Sequence, residues 1–422
     1  MVQVPLPVVP SWVPFRTFTV LGAVTLSLLV VLLTDDSDDG SLAHLRRRLV
    51  LGVPWGTVIS ILGVLCVYLF VQGAFDDLRD PLVIPFRSWS YFYPLGMLTA
   101  AFSHASLGHI TGNLVGTAMF APIVEYAWGH YPQRRGTQTF TSPLTNPIVR
   151  ILLVPFVVFF VGLFTAAFAL GPVIGFSGVV FAFAGFSIVN RPLTAVLAIL
   201  ADRVLGLVIT AIQNPRVVTV PRVITPWWAN VAIQGHAIGI LSGILLGFAF
   251  VYYRDRWPDP KRVWFGLLAF ATIQGLWALF VPQGNGRFVM FRWAGTALVF
   301  VLATVIVLAT TGEYDIDIPE FEFSSALRTT ALVVVVVLTA AIAGSAIPYN
   351  VAQFANADAP GPNVEVRDYA VSYGENVPDG YVNSISVPLV DDLTDINTSG
   401  VIVTSDRRQI WQTVVLESQL KN

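Results

Sequence analysis

The chain has 422 residues, 55% of them hydrophobic and 12% charged, with a mean hydropathy of +0.70 and a formal net charge of −2. Soluble domains carry about 25% charged residues, so this composition excludes an ordinary soluble protein, and no basic patch points to nucleic acid. Cys66, the single cysteine, excludes a disulfide framework and a cysteine-based metal site; no cofactor and no metal are expected.

About ten apolar stretches have the length of membrane helices, near 17–34, 50–72, 96–127, 148–170, 174–190, 193–213, 229–253, 263–281, 289–311 and 329–347. The first ends in Asp35-Asp36 instead of a small-residue cleavage site, so it reads as a retained span. Basic residues gather in alternate loops: Arg46-Arg47-Arg48, then Arg134, Arg135 and Arg150, then Arg191, then Arg254, Arg256, Lys261 and Arg262. The excess of positive charge assigns these loops to the cytoplasm, although Arg216 and Arg222 run against the pattern. His44 and His130 fall in those loops and are expected to be solvated. The N-terminus and the C-terminal tail then lie outside.

The loop 73–95 also lies outside. It carries Trp89, Tyr91, Phe92 and Tyr93, and such amphipathic aromatics predict a segment at the bilayer interface. Beyond residue 347 the chain turns acidic, with ten acidic and four basic residues from Pro348 to Asn422. Alternating stretches at 364–367 and 381–387, with a turn signal at Pro378-Asp379-Gly380, predict a small β-rich extracellular domain. Asn397-Thr398-Ser399 is a glycosylation triplet within it.

The polar residues inside apolar stretches carry the functional signal, because a polar group in lipid is costly without a partner or a task. Ser177 opens the fifth span, flanked by Gly175 and Gly178. A helix start leaves backbone N–H groups free, a feature suited to stabilising an oxyanion. His109 and Asn113 stand four apart, so a helix puts both on one face. Two donors on one face suit an oxyanion, but the same spacing serves helix–helix contact. His236 lies about seven residues into the seventh span, ~10 Å below its outer end, a depth within reach of Ser177.

Gly239, Gly243 and Gly247 follow His236 as a smooth strip, and Gly178 and Gly185 offer a matching surface on the fifth span. Close packing of these two helices brings Ser177 and His236 within hydrogen-bond range, as a nucleophile and its base require. No membrane carboxylate is placed to orient His236. Asp202, followed by Arg203, reads as a self-paired site, and Glu125 at the cytoplasmic end reads as a structural hydrogen-bonding group. The arrangement that follows is a Ser–His pair without a third carboxylate.

Three segments together resemble the rhomboid family of intramembrane serine proteases. They are His104-Ala-Ser-Leu-Gly-His109-Ile-Thr-Gly-Asn113 with the later Glu125 and Gly129, then Gly175-Phe-Ser177-Gly-Val-Val-Phe181-Ala-Phe-Ala-Gly185, then His236-Ala-Ile-Gly239-Ile-Leu-Ser-Gly243. The resemblance implies an all-α polytopic membrane protein with a six-helix core at 50–253. Around it lie an N-terminal extra helix and loop at 1–49, three further helices at 254–347 and the acidic tail at 348–422. It also implies that Ser177 is the nucleophile and His236 the general base and acid. His109, Asn113 and the Ser177 backbone N–H would form the oxyanion hole, with His104 structural beside it.

Two departures stand out: Phe181 replaces the tyrosine of some members, and Arg87 and Trp89 occur in reversed order relative to the family's loop motif. The implied activity is cleavage of single-span membrane proteins near the outer face of the cell membrane, with lateral access past the span at 193–213. Two rivals remain at this stage. One is an inactive rhomboid-like chaperone or trafficking factor, and the other a transporter, whose polar groups belong at the bilayer midplane.

Overall fold

The structure is a computed structural model that describes residues 17–19, 21–23, 25–26, 40–131, 142–143, 145–212, 233–282, 288–310, 325–351, 359–380 and 397–420. Most of the expected first span therefore lies outside the described residues, as do Arg134, Arg135, Arg216, Arg222 and the stretch 381–387. Among the described residues, six helices are long and apolar enough to cross a membrane: 107–128, 147–167, 192–209, 234–254, 292–310 and 326–344.

In chain order the helices are α1 (Gly40–Arg48), α2 (Trp55–Cys66, extended to Val71 by a wider turn), α3 (Pro94–Thr99), α4 (Leu107–Trp128), α5 (Pro147–Ala167), α6 (Ser177–Asn190) and α7 (Pro192–Ile212). They continue with α8 (Ile233–Arg254), α9 (Pro260–Ile273), α10 (Arg292–Thr310), α11 (Ser325–Gly344), α12 (Ile347–Val351) and α13 (Glu417–Leu420). Local chemistry sets several starts. The Ser106 side chain accepts from the His109 N–H ahead of α4, Asn146 from Ile148 ahead of α5, and Asp259 from Lys261 and Arg262 ahead of α9. Pro147 and Pro260 occupy first helical positions, where their missing N–H costs nothing.

The structure corrects the expected span at 96–127. α3 ends at Thr99, and the chain runs irregularly to the Ser106 cap before α4 begins. The stretch is apolar enough to read as one helix, but the Ala100 carbonyl leaves the ladder to accept from Gly175 N, and His104 N donates to the Gln72 amide oxygen. The expected span at 263–281 likewise ends at Ile273. Its tail forms β1 (Phe280–Pro282), paired antiparallel with β2 (Phe288–Met290).

α6 is the centre of the bundle. Its 14 residues reach only ~21 Å, short of a ~30 Å hydrocarbon core. Eleven of those residues are buried, so protein and not lipid surrounds it. α8 lies against it in backbone contact. A Cβ on Gly239 would collide with the Gly178 carbonyl, and one on Gly243 with the Ala182 carbonyl. From the other side, a Cβ on Gly185 would strike the Ile240 carbonyl.

A polar clamp ties α2 to α4 at the end opposite Ser177. The fully buried Glu125 carboxylate accepts from Gly56 N (2.7 Å), Thr57 N (2.8 Å) and Thr57 Oγ1 (2.8 Å). His130 completes it, with Nε2 2.6 Å from Glu125. His130 Nδ1 accepts from Val50 N, so the proton sits on Nε2 and is donated to the carboxylate. His130 is fully buried, which corrects the expectation that it is solvated: its carboxylate partner lies five residues back on the same turn of chain.

The tail forms a four-stranded antiparallel sheet in the order β3 (Asn363–Val366), β4 (Tyr369–Pro378), β5 (Asn397–Ser405), β6 (Ile410–Leu416). It is seated on the loop before α3. Ile410 packs with Trp89 and Tyr93. Arg408 pairs with Asp368, donates to the Tyr93 hydroxyl (3.0 Å) and lies over the Tyr369 ring. Trp89 and Tyr93 are therefore buried under the sheet, a correction to their expected interfacial exposure, while Phe92 stays exposed.

Replacing Glu125 with Leu strands two backbone N–H groups and the His130 ring N–H. The expected cost is about 3 kcal/mol or more, visible as a lower thermal midpoint of the detergent-solubilised protein. A midpoint equal to wild type would show that the clamp carries no stability.

Candidate active site

The approach to Ser177 is held residue by residue. Gly175 has φ +127°, a conformation that side chains rarely adopt, and a Cβ there would come within 2.6 Å of the His109 ring. Its N–H donates to the Ala100 carbonyl (2.8 Å). Phe176 N donates to His104 Nε2 (3.4 Å). His104 is itself fixed by Gln72, whose side chain accepts from His104 N (2.7 Å) and donates to His104 O (2.8 Å) and Leu82 O (2.8 Å). Ser177 is then the first residue of α6.

His236 comes to Ser177 from α8, with Nε2 2.8 Å from Oγ. With the serine hydroxyl as donor, the imidazole proton sits on Nδ1. That atom is buried and has no hydrogen-bond partner among the described residues. The ring is held by packing instead. It stacks on Phe181 at 4.0 Å and 20°, and Phe181 stands edge-on to Phe270. Gly239, one turn below His236, allows the close approach, and Thr165 fills the space beside Gly178.

Ser177 and His236 open onto a cavity of about 1210 Å³ that also touches His109 and Asn113. It runs between α4, at Gly112 and Gly116, and α7, at Asp202 and Gly206. The Asn113 amide nitrogen is buried, a donor that meets no acceptor among the described residues. Such a group costs about 1–3 kcal/mol until an acceptor arrives. A second cavity of about 40 Å³ touches Ser177 and His236 from the Thr165 side, room for a water molecule.

The sequence-derived residues Ser177, His236, His109, Asn113, His104, Gly175, Gly178 and Phe181 thus gather around one point. Gly239 and Gly243 lie behind it in the helix contact, and Glu125 stands apart in its clamp. Three supports were not anticipated. Gln72, a polar residue ending an apolar run, was the one with a readable signal. Arg87 donates to the Pro172 carbonyl (3.0 Å) and lines the cavity; burial holds its guanidinium below the ordinary arginine value. Thr165 is the third. Arg203 donates to Ile273 O and Gln274 Oε1, and it faces the cavity together with Asp202.

Residues 91–253 match the family model described as Rhomboid domain. The matched segment runs from the loop before α3 through nearly all of α8, and so includes both Ser177 and His236. Searches of curated proteins and of solved structures found no match. The match gives this chain a rhomboid domain over residues 91–253, and the apolar helices around and within it make the chain a multi-pass membrane protein.

Proposed function

We propose that this protein is an intramembrane serine protease in which Ser177 and His236 act as a catalytic dyad on single-span membrane proteins. The observation that carries the reading is the 2.8 Å contact between Ser177 Oγ and His236 Nε2, at the wall of a cavity that also holds an unpartnered amide donor. Ser177 Oγ attacks a peptide carbonyl carbon while His236 Nε2 takes the hydroxyl proton. The carbonyl oxygen becomes an oxyanion, and the Asn113 amide, His109 and the Ser177 N–H are its donors. His236 returns the proton to the leaving amine as the C–N bond breaks. Water then attacks the acyl-enzyme with His236 again as base, and Ser177 is regenerated.

The same reading assigns further parts. The dyad works near the extracellular face of the cell membrane, and the acidic sheet lies on that side. Residues 50–253 are the catalytic core, with 1–49, 254–347 and 348–422 as additions. Substrates arrive laterally between α4 and α7 and must unwind locally, because a closed helix hides its carbonyls. Phe181 supplies the stacking surface for the imidazole without a hydroxyl of its own.

Ser177→Ala and His236→Ala are each expected to abolish cleavage of a membrane-anchored test substrate in proteoliposomes, with insertion unchanged. Ser177→Ala should also lose labelling by a fluorophosphonate probe. Full cleavage by either variant would remove the dyad, and a wild-type protein inert to both assays would favour the non-enzymatic chaperone. Asn113→Ala should lower kcat by about 10²–10³ with little change in KM. An unchanged kcat would take Asn113 out of the oxyanion site.

A further inference from the structure

We infer that Gln234 is a positioning residue for the dyad, and that α11, which lies outside the matched segment 91–253, is the post against which it holds α8. Gln234 stands two residues ahead of His236, in the first turn of α8. Its amide oxygen accepts from Leu170 N (2.8 Å), and its Nε2 donates to Phe168 O (2.9 Å) and to Ile342 O (2.9 Å). Phe168 and Leu170 belong to the turn that follows α5, and Ile342 to the last turn of α11. One side chain therefore joins three segments, with both amide N–H groups and the amide oxygen engaged.

Helix ends create part of this demand. The last carbonyls of α5 have no partner in their own ladder. The Tyr91 hydroxyl (2.7 Å) and the Asn350 amide of α12 (2.8 Å) both donate to Ala167 O, and Gln234 takes the next carbonyl, Phe168 O. The turn so held leads straight to the site: Leu170 and Gly171 line the Ser177 cavity, and the chain then runs through Gly175 into α6. Closing the end of α5 needs no bond to α11. The third bond, to Ile342 O, fixes something else, which is the rotation of α8.

The glycine faces of α6 and α8 set the separation of the two helices, but a glycine carries no side chain that interlocks. The first N–H groups of α8 also lack ladder partners, so contacts from outside the helix decide how its first turn sits. Residues two apart lie ~200° apart round a helix, so Gln234 restrains the side of α8 turned away from Ser177. At ~6 Å from the helix axis, a rotation of ~10° moves His236 Nε2 by ~1 Å. A 2.8 Å contact lengthened by that amount is no longer a hydrogen bond. Gln234 is thus the rotational stop for the imidazole. Its consequence for catalysis rests on the dyad reading; its effect on the Ser177–His236 contact does not.

The test is solid-state nitrogen NMR of the full chain in liposomes, isotope-labelled at histidine, alongside cleavage kinetics. The chain has five histidines, and His236→Gln identifies the resonances that belong to His236. Ser177→Ala removes the bond to Nε2 and marks where the free acceptor resonates. In Gln234→Met, which keeps the length and loses every bond, the Nε2 resonance should move toward that position. Gln234→Glu, which keeps an acceptor for Leu170 N and loses both donors, should move it in the same direction and covers a Met variant that does not fold. For both, kcat should fall about tenfold to a hundredfold with KM within about twofold. Glu125→Leu, at the far end of the bundle, should lower the thermal midpoint and leave the His236 resonance in place. A wild-type resonance in the folded Gln234 variants overturns the proposal. So does a loss confined to KM, or an equal movement in Glu125→Leu, which would make Gln234 one more structural bond. A wild-type protein that cleaves nothing while the resonance moves as expected removes the protease reading and leaves the positioning role standing.

Discussion

The backbone contact between α6 and α8 is the constraint from which the rest follows. In lipid there is no hydrophobic drive to bring two helices together, so they associate by close packing and by interhelical polar contacts. Gly239 and Gly243 remove the side chains that would separate the axes, and the carbonyls of Gly178 and Ala182 occupy that space. A hydrogen bond of 2.8 Å between Ser177 and His236 tolerates little change in separation. The site geometry therefore depends on missing atoms several residues away. The contact also accounts for the brevity of α6. A helix wrapped on all sides by protein has no need to span the bilayer, and its start falls at depth, where it lines a cavity.

Around this contact the polar groups form two anchored clusters, one at each end. Gln72 and His104 hold the strand that leads into Ser177, and Glu125 with His130 holds α2 against α4. Each cluster spends buried side chains on backbone N–H or C=O groups of irregular segments, which lipid would leave unsatisfied. His236 differs from both. Its Nδ1 has no partner among the described residues, so the ring is oriented by the Phe181 stack and the Ser177 contact, a looser restraint than a carboxylate on Nδ1 gives. The missing third residue and the Phe181 stack are two aspects of the same local design.

Much of the site was legible in the sequence because the background is so apolar. Ser177, His236, His109 and Asn113 stand out as polar side chains inside apolar stretches, and the glycine strip after His236 signals its own packing partner. The apolar stretches marked most helices. What escaped the sequence depends on partners far along the chain. The break between α3 and α4 is apolar and reads as helix, but Gln72 and Gly175 capture its backbone groups. The burial of His130 is set by Glu125 and Val50. The apolar residues Phe280–Pro282 continue the run that reads as a span, but they pair with Phe288–Met290 instead.

The aromatic loop before α3 is the clearest case of tertiary override. Trp89 and Tyr93 have the character of interface residues, yet the sheet from the far end of the chain covers them, through Ile410 and Arg408. The other side of the same loop grips the rim of the cavity: Arg87 holds Pro172 O, and Ser88 N donates to Val173 O at 3.1 Å. Two residues separate Val173 from Phe176, whose N–H is bound to His104. Asn350, just ahead of the sheet, adds a further tie, donating to the Ala167 carbonyl at the end of α5 while its own carbonyl accepts from Tyr91 N. The sheet and the rim of the cavity thus share one short loop, held from both faces by hydrogen bonds. The acidic tail is part of the architecture that positions the site's border, and one of its carboxylates, Asp368, is held in the aromatic seam by Arg408.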